Sequence, residues 1–241
     1  MSYTYRIKYK KKGSLKFISH LDLNALFSRT LRRAQMPVEL TQGYNTRFKV
    51  SFGPALPLGI AGLQEILDLF LTEELEPEQI REKITSVAPT GLIIKKVQKV
   101  PENYSSLTQS LCWAVYRVFL GLNRSHNNDN DGECVEKIGI TIKSFLNHQN
   151  ILVEKQTKKG IREVDLRPCI HNLEFLSWQD EKIIIRLTID IQYKGSINPY
   201  LVMNEFLKQS GNQRFTISKV IREKLMVDVD GKGKNKLESA P

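Results

Sequence analysis

The chain is short of cysteine, of long apolar runs and, over its first 49 residues, of acids. Its three cysteines, Cys112, Cys134 and Cys169, form no close pair and leave an odd count. That excludes a disulfide framework, a zinc knuckle or an iron–sulfur cluster made by this chain alone. Buried thiols are the expected use, and no metal or cofactor is expected. The longest apolar runs, such as Ile183-Ile184-Ile185, are far too short to span a bilayer. The opening Met1-Ser2-Tyr3-Thr4-Tyr5-Arg6 lacks the apolar stretch of a signal peptide, so a cytoplasmic protein is expected. Gly-x-x-x-x-Gly-Lys, Gly-x-Ser-x-Gly and His-Glu-x-x-His are all missing, which removes the common phosphate-loop, hydrolase and zinc-protease readings. The run Asn127 to Gly132 resembles half a calcium loop, but Ile138 stands where the bidentate Glu is required.

The scarcity of acids leaves charge behind. Residues 1–49 hold eleven Lys or Arg against Asp22 and Glu39 alone, in a chain whose net charge is +10. Simple solvation of a surface mixes signs, whereas this stretch does not. A polyanion is the natural partner for such a field, and RNA is the first candidate. The remaining composition, 41% hydrophobic and 26% charged, is ordinary for a folded chain.

Periodicity predicts the elements. Tyr3, Tyr5, Ile7 and Tyr9 alternate with Thr4, Arg6, Lys8 and Lys10, the pattern of a strand with one wet face. Ser19 caps a helix with Asp22 three residues on. Leu23, Leu26, Phe27, Leu31 and Ala34 form its apolar stripe, and Pro37 ends it. Short extended segments flank Gly43, and Ile66–Leu71 is a further strand. Pro77 opens a second helix, and Leu92–Val97 is a strand after Gly91. The second half repeats the order: a strand at Leu111–Leu122, a helix carrying Val135, Ile138, Ile142 and Phe145, and a ribbon around Lys158-Lys159-Gly160. A strand at Ile183–Ile191, a helix from Pro199 and a strand at Phe215–Met226 complete it. The expected class is α+β, a tandem of two ferredoxin-like (β-α-β-β-α-β) sandwiches with antiparallel sheets. The expected domains are a basic 1–101, a second 102–227 and a disordered tail 228–241.

Several residues carry possible chemistry. Lys8, Arg29, Arg32, Arg33, Arg47 and Lys49 are candidate phosphate contacts, with Lys159, Arg162 and Arg167 as a second basic edge. His20 and Asp22 open a helix, and with Asp68 they are the candidate acid–base groups should the chain be an enzyme. Residues i and i+2 of a helix point about 200° apart, so His20 and Asp22 need not touch. Arg47-Phe48-Lys49-Val50-Ser51-Phe52 alternates base and apolar as an RNA-facing strand does, although the glycines of the RNA-recognition signature are absent.

The string Leu15-Lys16-Phe17-Ile18-Ser19-His20-Leu21-Asp22-Leu23, with Leu31-Arg32-Arg33-Ala34 and Gln42-Gly43-Tyr44-Asn45, resembles the radical-SAM-linked family. Ser51-Phe52-Gly53-Pro54-Ala55-Leu56-Pro57-Leu58-Gly59, Glu65-Ile66-Leu67-Asp68, Lys159-Gly160 and Val164-Asp165-Leu166-Arg167-Pro168 continue the likeness, over about residues 5–225. This is a bacterial domain of no settled activity, encoded beside or fused behind a radical S-adenosylmethionine (SAM) protein. The resemblance implies a radical SAM partner and a pocket of Ser19, His20, Asp22, Gln42, Gly43 and Asn45. The family reads Asn-Pro-His-Pro where this chain has Asn45-Thr46-Arg47-Phe48, so Arg47 replaces a family histidine. With no Cys-x-x-x-Cys-x-x-Cys, the chain is expected to be the accessory piece. The leading expectation is thus an RNA-binding module for transfer or ribosomal RNA. An RNA nuclease or base-modifying enzyme using His20 and Asp22, and a protein–protein adaptor, stay open beside it.

Overall fold

The computed structural model describes residues 2–101, 105–122, 131–157, 160–192, 197–211, 215–228 and 237–239. The chain is α+β and dominated by antiparallel pairing, with five α-helices among the described residues. It divides into two units, Met1–Leu111 with Lys224–Pro241, and Cys112–Glu223.

The first unit is organised by β1 (Tyr3–Lys11). Its alternation sends Tyr5, Ile7 and Tyr9 into the core at no more than 2% exposure. The α-helices α1 (His20–Arg33) and α2 (Pro77–Val87) reach the same core through Leu23, Phe27 and Leu31, and through Ile80 and Ile84. Both helices therefore cover one face of the sheet. Strand β2 (Val50–Phe52) pairs β3 (Ala61–Leu71), β3 pairs β1, and β1 pairs β4 (Leu92–Lys99). The order is β4-β1-β3-β2, antiparallel throughout. A short helix α3 (Leu107–Ser110) follows. The Tyr5 hydroxyl fixes the turn after β3, donating to the Leu75 carbonyl at 2.6 Å and accepting the Leu75 N–H at 2.9 Å.

Local chemistry sets the ends of α1. The Ser19 hydroxyl accepts the Asp22 N–H at 3.1 Å, and the Asp22 carboxylate accepts the Ser19 N–H at 3.2 Å, a complete capping box. The helix stops earlier than Pro37 alone requires. Ala34 is the C-cap and Gln35 takes φ 51°, so the turn is made before the proline is reached. Gly91, at φ +96°, lets the chain entering β4 lie against Lys12, whose N–H donates to the Gly91 carbonyl at 2.9 Å. A Cβ there would sit 2.5 Å from the Lys12 carbonyl oxygen.

The second unit repeats the order. It contains β5 (Leu111–Leu122), α4 (Asp131–Asn147), β6 (Leu152–Thr157), β7 (Gly160–Asp165) and β8 (Ile170–Gln179). Then come β9 (Lys182–Asp190), α5 (Pro199–Gln209) and β10 (Phe215–Asp228), of which residues up to Glu223 belong to this unit. Strands β6 and β7 form a separate two-stranded ribbon, as the Lys-Lys-Gly turn signal predicts. With the ribbon set aside, the sheet order is β10-β5-β9-β8, the counterpart of β4-β1-β3-β2. Phe145 of α4 meets Phe206 of α5 edge to face at 5.3 Å, with Ile138, Ile142 and Val202 buried around them.

Strand β8 is not foreseen from the sequence, because register shifts at Ile170/Asn172 and Phe175/Ser177 break its alternation. The segment read as a disordered tail also holds a strand, β11 (Leu237–Ser239), paired with Met226–Asp228 of β10. Backbone pairing of three residues leaves no side-chain period to read. Cys169 is buried and Cys112 half-buried, while the Cys134 side chain lies outside those described, as do residues 123–130 of the polar run.

Candidate nucleic-acid interface

One face of the first unit's sheet is turned away from α1 and α2, and β1 supplies its charges. Arg6, Lys8 and Lys10 alternate with the core residues and so point away from α1 and α2. Arg6 stands opposite Asp68 of β3 and Gln98 of β4, and Lys8 stands opposite Ile66 and Lys96. The guanidinium of Arg6 binds Asp68 through two bonds, Nε to Oδ1 and Nη2 to Oδ2, each 2.8 Å. Both residues are buried, at 3% and 5% exposure. That fork uses the Asp68 charge and leaves Lys8 facing Lys96 across the β1–β4 ladder. Like charges directly opposite on a sheet destabilise it unless a counter-ion intervenes. Burial first, then Lys96 and Arg6, hold the Lys8 ammonium below its usual range.

The remaining predicted phosphate contacts do not join this face as one patch. Arg29, Arg32 and Arg33 lie exposed on the outer side of α1, across the sheet from Lys8. The Arg33 guanidinium donates to the Val87 carbonyl at the end of α2 at 2.6 Å, and Arg32 lies 5.8 Å from the Phe48 ring centre. A groove of about 410 Å³ runs between these arginines, Leu26, Thr30 and Pro89. Lys49 lies over the Phe70 ring at 4.7 Å and donates to Glu39 at 2.8 Å. This bond and the Ser2 hydroxyl hold the Glu39 carboxyl below its ordinary value.

Arg47 closes a loop, its N–H donating to Thr41 Oγ1 at 3.0 Å and its carbonyl accepting the Thr41 N–H at 2.7 Å. Gln42, Gly43 and Asn45 are exposed on that loop. In the second unit, Arg162 is exposed on the ribbon opposite Lys155, and Lys159 lies outside the described residues. Arg167 has a structural task. It donates to the Leu146 carbonyl at the end of α4 at 2.8 Å and to the Ile170 carbonyl at 3.1 Å.

The candidate acid–base groups His20 and Asp22 have local partners. The Asp22 carboxylate accepts from both the hydroxyl and the N–H of Ser19, and these two bonds hold it below its ordinary value. His20 meets Phe52 edge to face at 5.6 Å, at the end of an aromatic series running through Phe27 to Tyr9. The cap of α1 thus accounts for Asp22, and an edge contact engages His20. Among the described residues no group of three His, Cys, Asp or Glu is placed to hold a metal ion.

Asp68 lines a larger cavity of about 790 Å³ in the same unit, with Tyr3, Thr4, Lys49, Ser51, Phe70, Lys99, Ser105 and Ser106 among its walls. None of Ser19, His20, Asp22, Gln42, Gly43 or Asn45 lines it. Sequence reasoning names Asp68 and Lys49 as candidates but misses the other lining residues, along with Lys96. The β1 alternation that marks Lys8 marks Lys10 equally. Lys96 is visible only once the β1–β4 register is known.

Residues 4–199 match the model of a family described as an uncharacterized protein conserved in bacteria, DUF2344. No curated protein matches the sequence. Among solved structures, a chain of a Cbf5–Nop10–Gar1 complex is similar at 12% identity with a TM-score of 0.50, covering 92% of this chain and 48% of that one. A chain of the archaeal box H/ACA sRNP Nop10–Cbf5 complex gives 12% identity, TM-score 0.44 and coverage of 90% and 46%. A chain of an H/ACA RNP bound to a substrate RNA containing 2'-deoxyuridine gives 11%, 0.42, 90% and 46%. The chain spans about half the length of these structures, and the likeness concerns the fold alone. No described helix is long and apolar enough to cross a membrane.

Proposed function

We propose for this chain, which belongs to the uncharacterized bacterial family DUF2344, that it is a cytoplasmic RNA-binding accessory module. In this reading two ferredoxin-like sandwiches in tandem, about 1–101 and 102–227, offer transfer or ribosomal RNA to a radical SAM protein that does the chemistry. The observation that carries it is the Lys8–Lys96 pair on the sheet face turned away from α1 and α2, flanked by Lys10, with the neighbouring Asp68 committed to Arg6. A row of phosphates supplies the missing negative charge there, and sequence-independent backbone contact is what such a row of lysines offers. The α+β architecture, shared with a chain of a Cbf5–Nop10–Gar1 complex, agrees with this reading but does not carry it. The radical SAM partner is supported by the sequence likeness at residues 15–68. Engagement of Asp22 in the α1 cap speaks against the nuclease alternative.

Fluorescence anisotropy with a labelled transfer RNA tests the reading. If three phosphates are neutralised, affinity falls about 20–40-fold between about 50 and 200 mM salt. The K8A/K96A double variant flattens the logarithmic salt slope by about 1.4–1.8. RNA binding indifferent to salt, or a slope unchanged in the double variant, removes this face as the interface.

A further inference from the structure

The β6–β7 ribbon carries its charges in an order that strand pairing does not explain. Among the described residues its two strands pair with each other alone. The register sets Glu154 opposite Glu163 and, on the next rung, Lys155 opposite Arg162. Residues opposite one another share a face, and successive residues of a strand alternate between faces. The acid pair therefore lies on one face with Leu152 and Ile161, and the cation pair on the other with Val153 and Val164. Each pair brings like charges to about 4.5–5.5 Å at Cβ, an arrangement that weakens a ladder. Exchanging the residues at 162 and 163 turns both rungs into ion pairs, so this order forgoes two of them. None of the four has an ion-pair partner among the described residues.

What surrounds the charge differs between the faces. Leu152 and Ile161 are exposed beside the acids and offer the apolar anchors that a protein contact uses. On the cation face Val153 is 7% exposed and Val164 half-buried, which leaves Lys155 and the exposed Arg162 to meet a ligand. Positive charge without an apolar anchor suits a phosphate backbone, which Lys and Arg hold irrespective of sequence. The acid pair repels the same backbone, so the ribbon presents one face to it and not the other. We propose that the β6–β7 ribbon is a second RNA contact, its Lys155–Arg162 pair lying on the phosphates of the strand. The proposal rests on the RNA-binding reading and adds to it a site in the second unit.

The R162E/E163R exchange in the full chain tests it, because composition and net charge are kept while both like pairs become ion pairs. Fluorescence anisotropy with a labelled transfer RNA should show the logarithmic salt slope flattened by about 1.4–1.8, the contribution of two phosphates. K155A/R162A, which introduces no new charge, should flatten it equally with far-UV circular dichroism unchanged. A slope equal to that of the unaltered chain in K155A/R162A overturns the proposal and leaves the sheet face to be decided by K8A/K96A. RNA binding by the unaltered chain that ignores salt removes the RNA reading and this site with it. Poly-L-glutamate bound as tightly as RNA of equal charge, and released by K155A/R162A, assigns the cation pair to protein carboxylates and likewise overturns it.

Discussion

Replacing Asp68 by Ala deprives the Arg6 guanidinium of its forked partner under a cover that leaves the two side chains only 3% and 7% exposed. Two well-aligned bonds at 2.8 Å are lost together. At such burial water does not take their place, so the exposed-pair discount does not apply, and the expected loss is about 3–5 kcal/mol of unfolding free energy. For a domain of this size that lowers the melting temperature by about 10–20 °C. Asp68→Asn should fall short of rescue, because its amide can accept from one Arg6 nitrogen while its NH2 faces the other, donor against donor. The informative partner is the R6M/D68L double variant, which removes both charges and keeps the volume. It should recover most of the loss, since the cost belongs to the buried charge left behind and not to the absent pair. Urea denaturation followed by far-UV circular dichroism measures all four proteins, and midpoints are comparable if m is unchanged. K99A, which breaks the exposed pair with Glu74, is the control with no shift in midpoint. A D68A loss below about 1 kcal/mol, or a double variant as unstable as D68A, would refute the buried-fork account.

Two further outcomes follow from the caps. Ser19→Ala removes the acceptor for the Asp22 N–H and should cost about 1 kcal/mol in the same urea assay. Asp22 also gives the acid limb a signature. Its carboxyl is held down in the folded state by Ser19, so its contribution is complete above the ordinary carboxylate value and lost as pH falls through the lowered one. Asp22→Asn should therefore flatten that part of the stability–pH profile, and an unchanged profile contradicts the capping role. Arg167→Ala frees the Leu146 and Ile170 carbonyls and should destabilise the chain by about 1.5–3 kcal/mol. RNA affinity measured on the folded fraction should stay unchanged, whereas a phosphate contact there would weaken it.

The elements legible in the sequence are those whose signal is local. The Tyr3–Tyr9 alternation and the Ser19–Asp22 box each lie within one turn or one strand, and both appear as β1 and the α1 cap. Strand β8 escapes because its bulges, at Ile170/Asn172 and Phe175/Ser177, break the two-residue period on which detection depends. The basic stretch is legible as charge but not as a surface. Whether Lys8 and Arg32 share a face depends on both helices choosing the Tyr5–Tyr9 side of the sheet, a tertiary decision. The cavity is least legible of all, since its walls come from residues 2–4, 49 and 51, 68 and 70, 99–101 and 105–107, which are far apart in sequence.

The division of the amino-terminal cations by a layer of helices has an electrical consequence. The outer side of α1 is separated from the far side of its sheet by at least one helix–sheet packing distance, about 10 Å, which matches or exceeds the roughly 8 Å reach of a charge in physiological salt. The arginines on one side and the lysines on the other therefore behave as two independent electrodes, and on the RNA-binding reading each would attract its own length of polyanion. A strand long enough to curl around the lobe's edge can touch both and bind with the gain of two linked contacts, while a short one must settle for either.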